Sequence, residues 1–271
     1  MDVNLTEWKK LATRMRCDIL KMCSYANSGH PGGSLSCVEI FITLFEHEMS
    51  LGKGSDDPER DRFVFSKGHA VPTQYAWQLE KGILEPEEIH TFRKTGSRLQ
   101  GHPVKGKSPY TDFNPGSLGQ GVSAATGMAL GYKLKKAPQK VYVLIGDGES
   151  DEGIVWEAAS AACHYHLDNL TYIVDINEVQ LDGRTEDIMN LGDLHMRYEA
   201  IGFLVDEING HDFNELLEAF SHHEEGKPHV ILAHTVKGKG VSYMEGNARW
   251  HGKAPNAELL AVALKELGEE E

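Results

Sequence analysis

The sequence has little cysteine, a shortage of positive charge and no long apolar run, and each shortage closes a class of function. Four cysteines, Cys17, Cys23, Cys37 and Cys163, are scattered through 271 residues with no CxxC spacing. Neither a disulfide framework nor a zinc site is expected, and the thiols read as buried and reduced. Lysine and arginine number 27 against 41 aspartates and glutamates, a formal net charge of -14. Bulk charge of that sign argues against nucleic acid and anionic membranes as partners, yet leaves room for a local basic pocket that takes a sugar phosphate. No run of about 18 apolar residues is found, and the opening MDVNLTEWKK lacks a signal-peptide core. A cytoplasmic chain with no membrane span is the expectation. Apolar residues make up 40% of the chain, enough to bury a full core in one large domain or two small ones.

The apolar pattern changes period along the chain. Leu5, Trp8, Leu11, Met15, Ile19 and Met22 recur at three- and four-residue steps, which predicts an amphipathic helix over 5–27. Glycine and proline in 28–33 should stop it, with a second helix over 35–48 and a loop over 51–60. A short strand over 62–65 runs into Ser66-Lys-Gly-His69, and helices are expected over 72–81 and 86–94. Residues 95–115 are polar, turn-rich and without period, a long loop of the kind that often serves function. With few apolar contacts to hold it, partial disorder is expected there. A helix of small residues over 122–134 should allow close packing against a neighbour.

Beyond it, strands over 141–145, 170–175, 203–206 and 229–234 alternate with helices over 154–165, 193–201 and 213–221, and a last helix covers 256–267. Such alternation predicts an α/β fold, a doubly wound parallel sheet with helices on both faces. Ligands of these sheets sit beyond the carboxyl ends of the strands. Residues 66–69, 146–148, Asn177 and 235–240 all follow predicted strands and should converge at one edge.

One of those segments, IGDGESDEG (145–153), sets Asp147 between two glycines and adds Glu149, Asp151 and Glu152. A glycine-rich turn from strand to helix usually holds phosphate. A carboxylate there argues against an anion, unless a divalent cation lies between Asp147 and a diphosphate. The acids also fit an ordinary helix start, where negative charge complements the dipole. Asn177, after the next strand, supplies a further oxygen for the metal reading but also suits a plain turn. An octahedral oxygen shell would favour magnesium, with calcium as a possible substitute.

GDG followed some thirty residues later by Asn resembles the thiamine diphosphate enzymes. SGHPGGSLS (28–36), DRFVFSKGH (61–69), GHP (101–103), GSLGQG (116–121) and GDGESDEG (146–153) occur in the order seen in the N-terminal, diphosphate-binding domain of transketolase. The resemblance covers nearly the whole chain and implies one thiamine diphosphate domain over 1–271. It implies transfer of a two-carbon ketol unit between sugar phosphates on the cofactor. By the same resemblance Asp147, Asn177 and the Val179 carbonyl match the magnesium ligands. His69, Gly116, Leu118, Gly148 and Asn177 match cofactor contacts, and His30 and His102 match histidines facing substrate hydroxyls. Glu152 matches the acid that links two active sites.

Departures from the pattern matter as well. NARWHG (247–252) keeps His251 where the family has two histidines, with Ala248 at the first position. TVKGKG (235–240) is more basic than usual and closer to deoxyxylulose-phosphate synthase. Lys237 or Lys239 could meet a phosphate, though a solvated surface lysine is the default. The pyrimidine-binding domain and its glutamate are absent, so half an active site is expected. That implies a split transketolase whose C-terminal subunit carries the pyrimidine domain, as a homodimer or a heterotetramer with sugar phosphate substrates. A split deoxyxylulose-phosphate synthase, a two-subunit ketoacid decarboxylase and a non-catalytic cofactor-binding protein are the alternatives.

Overall fold

Five apolar runs in extended conformation set the frame of the molecule. The computed structural model describes residues 3–269; Met1, Asp2, Glu270 and Glu271, the outermost residues of the expected 1–271 domain, lie outside the described residues. Strands β1 (Arg62–Phe65), β2 (Val141–Gly146), β3 (Leu170–Ile176), β4 (Leu204–Asn209) and β5 (His229–His234) form one sheet in the order β1-β2-β3-β5-β4. Every neighbouring pair is parallel.

Side chains alternate across the sheet, as the two-residue period of a strand requires. Tyr142, Leu144, Ile173 and Ile231 enter one core with Met15, Phe41 and Phe213. Val141, Val143, Ile145, Tyr172 and Val174 enter a second core with Ala125, Ala129, Ala158 and Ala162. The first face is covered by α1 (Leu5–Tyr25), α2 (Pro31–Ser36), α3 (Val38–Thr43) and α4 (Pro72–Glu80), and the second by α5 (Gln120–Lys135) and α6 (Gly153–His164). A one-turn helix, α7 (Thr185–Ile188), precedes α8 (Leu194–Ile201), whose Tyr198 also enters the second core. Helix α9 (Phe213–Ser221) returns to the first face, where α10 (Ala257–Glu266) joins it.

This path creates the crevice. From β3 the chain leaves toward α8 on the second face, whereas from β5 it leaves toward Val241 and Met244 on the first. Strands β3 and β5 are neighbours whose exits part, and a gap opens beyond their carboxyl ends.

Three expectations need correction. Residues 28–33 do end α1, but the second helix begins at Pro31, earlier than 35, because a missing N–H costs nothing in the first turn. The helix expected over 35–48 breaks at Cys37 and continues as α3 and a π-turn, Leu44–Glu48. Nor does the loop 95–115 lack anchors. Asp112 accepts both Nη atoms of Arg60 at 2.6 and 2.8 Å and the Phe63 amide at 3.0 Å. Leu99 is fully buried, and Gln74 and Gln78 of α4 donate to the Pro109 carbonyl. The loop reads as unstructured because its partners lie far away in sequence.

Candidate active site

Gly146 of β2 pairs with Asp175 of β3, and both strands turn just beyond that pair. Asp147 heads a short 3-10 turn, Gly148–Asp151, and is 8% exposed. Its carboxylate accepts from the Gly148 amide at 2.8 Å and from the Glu178 amide at 2.6 Å, which folds the turn after β3 over the turn after β2. Asn177 donates Nδ2 to Asp175 at 3.2 Å, and its Oδ1 accepts from the Val179 amide at 3.3 Å. The Val179 carbonyl accepts from Lys237 Nζ at 2.6 Å.

One carboxylate, one amide oxygen and one carbonyl thus share a single double turn, a set of hard oxygens suited to magnesium or calcium. Among the described residues no group of three or more His, Cys, Asp or Glu is arranged to hold a metal. A cation bound here would need further oxygens from water and an anion, such as a diphosphate. Gly148 closes tightly on its neighbours, since an added Cβ would lie 2.8 Å from Gln180 Cγ. The residues fit thiamine diphosphate with a divalent cation. Burial, with Asp175 beside it, holds the Asp147 carboxyl up at about 6.

The other acids of this segment have separate tasks. Glu149 is 2% exposed and accepts from the Gly119 amide at 2.7 Å, the Gly146 amide at 3.1 Å and the Ser66 hydroxyl. It ties three of the motif segments together, so a helix-start role does not describe it. Asp151 takes Gln180 Nε2 at 2.8 Å. Glu152 is exposed at the head of α6, with its Cβ close against Gly119.

Opposite this turn, three imidazoles form a triangle. Ring centroids lie 5.2 Å apart for His30 and His69, 5.4 Å for His30 and His251, and 5.2 Å for His69 and His251. His102 stands beside them, since a Cβ on Gly68 would come 3.3 Å from its ring and 2.4 Å from Pro115. That close approach at Gly68 also brings Pro115, just before exposed Gly116 and half-buried Leu118, against the residue preceding His69. Burial and neighbouring cations push these histidines down. His30 falls to about 4, with Arg93 the next cause after burial, and His251 to about 3, with Lys237 next. His69 lies well below its usual range through burial and Lys67, and His102 is lowered by burial and Arg93.

Two lysines sit inside the site. Lys237, read as a solvated surface residue by default, is 2% exposed and donates to His251 Nδ1 at 2.9 Å as well as to Val179. Burial, with Lys67 nearby, lowers it to about 8. Lys239 points elsewhere, 4.0 Å from Glu245. Lys67 is paired with the wholly buried Asp175 and donates to the Gly33 carbonyl at 2.9 Å. Ser36 and Thr235 also donate to Asp175. Burial opposes charge on Asp175, but Lys67 keeps its carboxyl below the usual range. By accepting Asn177 Nδ2, Asp175 fixes the amide with its Oδ1 toward the Val179 amide.

All the segments expected to converge do so, but Lys67, Asp175 and Glu149 were missed as site residues. Lys67 lies inside the quoted SKGH segment, and an acid ending an apolar strand is a signal that could have exposed Asp175. For Glu149 the signal was masked by the helix-start alternative.

The family described as the transketolase, thiamine diphosphate binding domain matches residues 8–271. One subunit of the apulose-4-phosphate transketolase of Phocaeicola vulgatus is 40% identical over 99% of this chain and 96% of its own length. One 6-deoxy-6-sulfo-D-fructose transketolase subunit, from Clostridium sp., is 40% identical over 89% of each chain. The solved transketolase of Campylobacter jejuni superposes with a TM-score of 0.91 at 34% identity, over 99% of this chain. This chain spans 43% of the length of that enzyme. None of these relatives favours deoxyxylulose-phosphate synthase, and the buried Lys237 that pointed that way is explained by the site itself. The chain belongs to the transketolase family, as its N-terminal, thiamine diphosphate-binding part.

Proposed function

We propose that this chain supplies the diphosphate-binding half of a transketolase site, as one domain over 1–271. With a companion chain carrying the pyrimidine-binding domain, it would move a two-carbon ketol unit from a ketose phosphate to an aldose phosphate. The observation that carries this reading is the oxygen turn of Asp147, Asn177 and Val179 facing a triangle of neutral histidines, with Lys237 between them.

Asp147, Asn177 Oδ1 and the Val179 carbonyl would hold magnesium. Lys237, the Gly148 amide, His69 and the loop at Gly116 and Leu118 would hold thiamine diphosphate. When bound, the cofactor supplies a thiazolium carbanion that serves as nucleophile and electron sink. His30, His102 and His251 are neutral, so each can present a ring nitrogen to a sugar hydroxyl; in His30 and His251, whose Nδ1 faces Arg93 and Lys237, that nitrogen is Nε2. Exposed Glu152 is free to pair with a second copy, in a homodimer or a heterotetramer. Relatives whose names make them single subunits of transketolases support a companion chain, and the apulose phosphate and sulfofructose in those names support a ketose with an anionic end as the donor. Buried free thiols at Cys17, Cys23 and Cys37 fit a cytoplasmic setting.

Calorimetry with thiamine diphosphate and magnesium tests the site. Asp147→Ala should abolish magnesium-dependent binding, together with ketol transfer by the assembled enzyme. Binding of unchanged strength in that variant would sink the metal assignment. Rapid turnover of a ketose phosphate by this chain without a companion would sink the half-site reading.

A further inference from the structure

Arg93 is a cation with no carboxylate partner among the described residues. It is half-buried, none of the ion pairs among the described residues includes it, and its Nε is buried with no partner. Such a group is costly unless its charge is used. Its backbone is left-handed, at φ 59°, a conformation that costs a long side chain about 1 kcal/mol. The Arg93 amide donates to the Leu99 carbonyl at 2.8 Å, which turns the following residues back over the side chain. At Gly101 an added Cβ would lie 2.9 to 3.1 Å from the guanidinium, so a side chain there would push Arg93 from its place. The glycine of the GHP segment and the strained Arg93 backbone therefore serve one end, the placing of a guanidinium behind His30.

The contacts decide what that placing does. Arg93 Nη2 is 3.1 Å from His30 Nδ1, and Nη1 is 3.0 Å from the Ser28 hydroxyl. A guanidinium has only donors and keeps its charge at any working pH. His30 Nδ1 must therefore be the acceptor, and the proton of the ring must sit on Nε2.

We infer that Arg93 is a positioning residue of the active site, which fixes His30 as a neutral imidazole with its proton on Nε2. That nitrogen takes no protein partner among the described residues, and it lies along the backbone of Gly252, where an added Cβ would stand 3.7 Å away. His30 thus meets a ligand as a hydrogen-bond donor only. It has no lone pair on Nε2 with which to remove a hydroxyl proton, and His251, whose Nδ1 accepts from Lys237, is in the same state, so that task falls to neither ring.

The groups around the ring agree. His69 and His251 face it at 5.2 and 5.4 Å, Arg93, His102 and Lys237 act on it as cations or potential cations, and the Cys23 thiol lies behind its backbone. No carboxylate is among them to favour a second proton. Burial and these neighbours lower the ring to about 4 from 6.5.

The part His30 plays in turnover rests on the transketolase reading; its tautomer does not. The full chain carrying 15N-labelled histidine, with His30→Gln for assignment, should show His30 Nε2 protonated and Nδ1 bare from about pH 8 down to about pH 5. In Arg93→Met the His30 midpoint should rise by at least about one pH unit, and Arg93→Lys should restore part of the shift. A proton on Nδ1 in the native chain, or a native midpoint near 6.5, overturns the inference. So does an unchanged His30 titration in Arg93→Met, and if that variant fails to fold the native spectrum alone decides. In the assembled enzyme Arg93→Met should lower kcat/KM by about tenfold or more and move the acid limb upward. The expected tautomer in a complex that transfers no ketol unit would uphold this inference and defeat the proposed function.

Discussion

At the carboxyl ends of β2, β3 and β5, His30, His69 and His251 have cations behind them, Arg93, Lys67 and Lys237. Along β4 the arrangement is reversed. His222 and His229 lie 2.9 and 2.8 Å from the Asp206 carboxylate, and His195 and His234 lie 3.2 and 2.6 Å from Glu207. Burial opposes charge on Asp206, yet His229 and His222 hold its carboxyl below the usual range. One set of imidazoles is kept neutral and available, and the other is consumed by carboxylates at a sheet edge. Neighbouring charge, and not the abundance of histidine, separates chemistry from structure in this molecule.

The contrast breaks most severely at Asp175. Asp175→Asn would leave Lys67 buried without its counterion, a loss of about 3–5 kcal/mol, and would free the Asn177 amide to turn. Urea unfolding would register the first effect and cofactor titration the second; a shift under about 1 kcal/mol would mean the pair is not buried as described. At Lys237 the expected change is in affinity. Lys237→Met should weaken thiamine diphosphate binding by about tenfold to a hundredfold, the worth of one or two charge-assisted hydrogen bonds, with the fold intact. Binding unaltered in calorimetry would remove Lys237 from the cofactor set.

Acid should sharpen the comparison. His30 and His251 titrate at about 4 and 3 in the folded chain, against 6.5 when unperturbed. The unfolded chain therefore binds protons below 6.5 that the folded chain refuses, so stability present above 6.5 is lost as pH falls toward 4. On the order of 2 kcal/mol is expected over that window, discounted for partial exposure of the rings. Thermal melts whose acid limb is unchanged in a His30→Gln, His251→Gln double variant would refute it. The smallest effect belongs to β4. His229→Gln should cost about 1 kcal/mol through its bond to Asp206 and leave cofactor affinity untouched; any loss of affinity would show that the two histidine groups are coupled.

Much of this was legible in the residues themselves. Alternating strands and helices, the glycines of the GDG turn and the order of the motif segments led to the sheet, the family and the cofactor. Asp147, Asn177 and the site histidines came from the same segments. Lys237 was placed on the surface because lysine usually lies there, and Arg93 carried no pattern at all.

Periodicity and turn chemistry act over a few residues, so the sequence by itself determined the elements and the family they belong to. The tertiary structure alone decided the β1-β2-β3-β5-β4 order and the partners of the buried charges. Lys67 and Asp175 are 108 residues apart, Arg93 and His30 63, and Glu149 and Ser66 83. Such pairs acquire their strength only when packing removes the water between them, and no local pattern records which surfaces will meet.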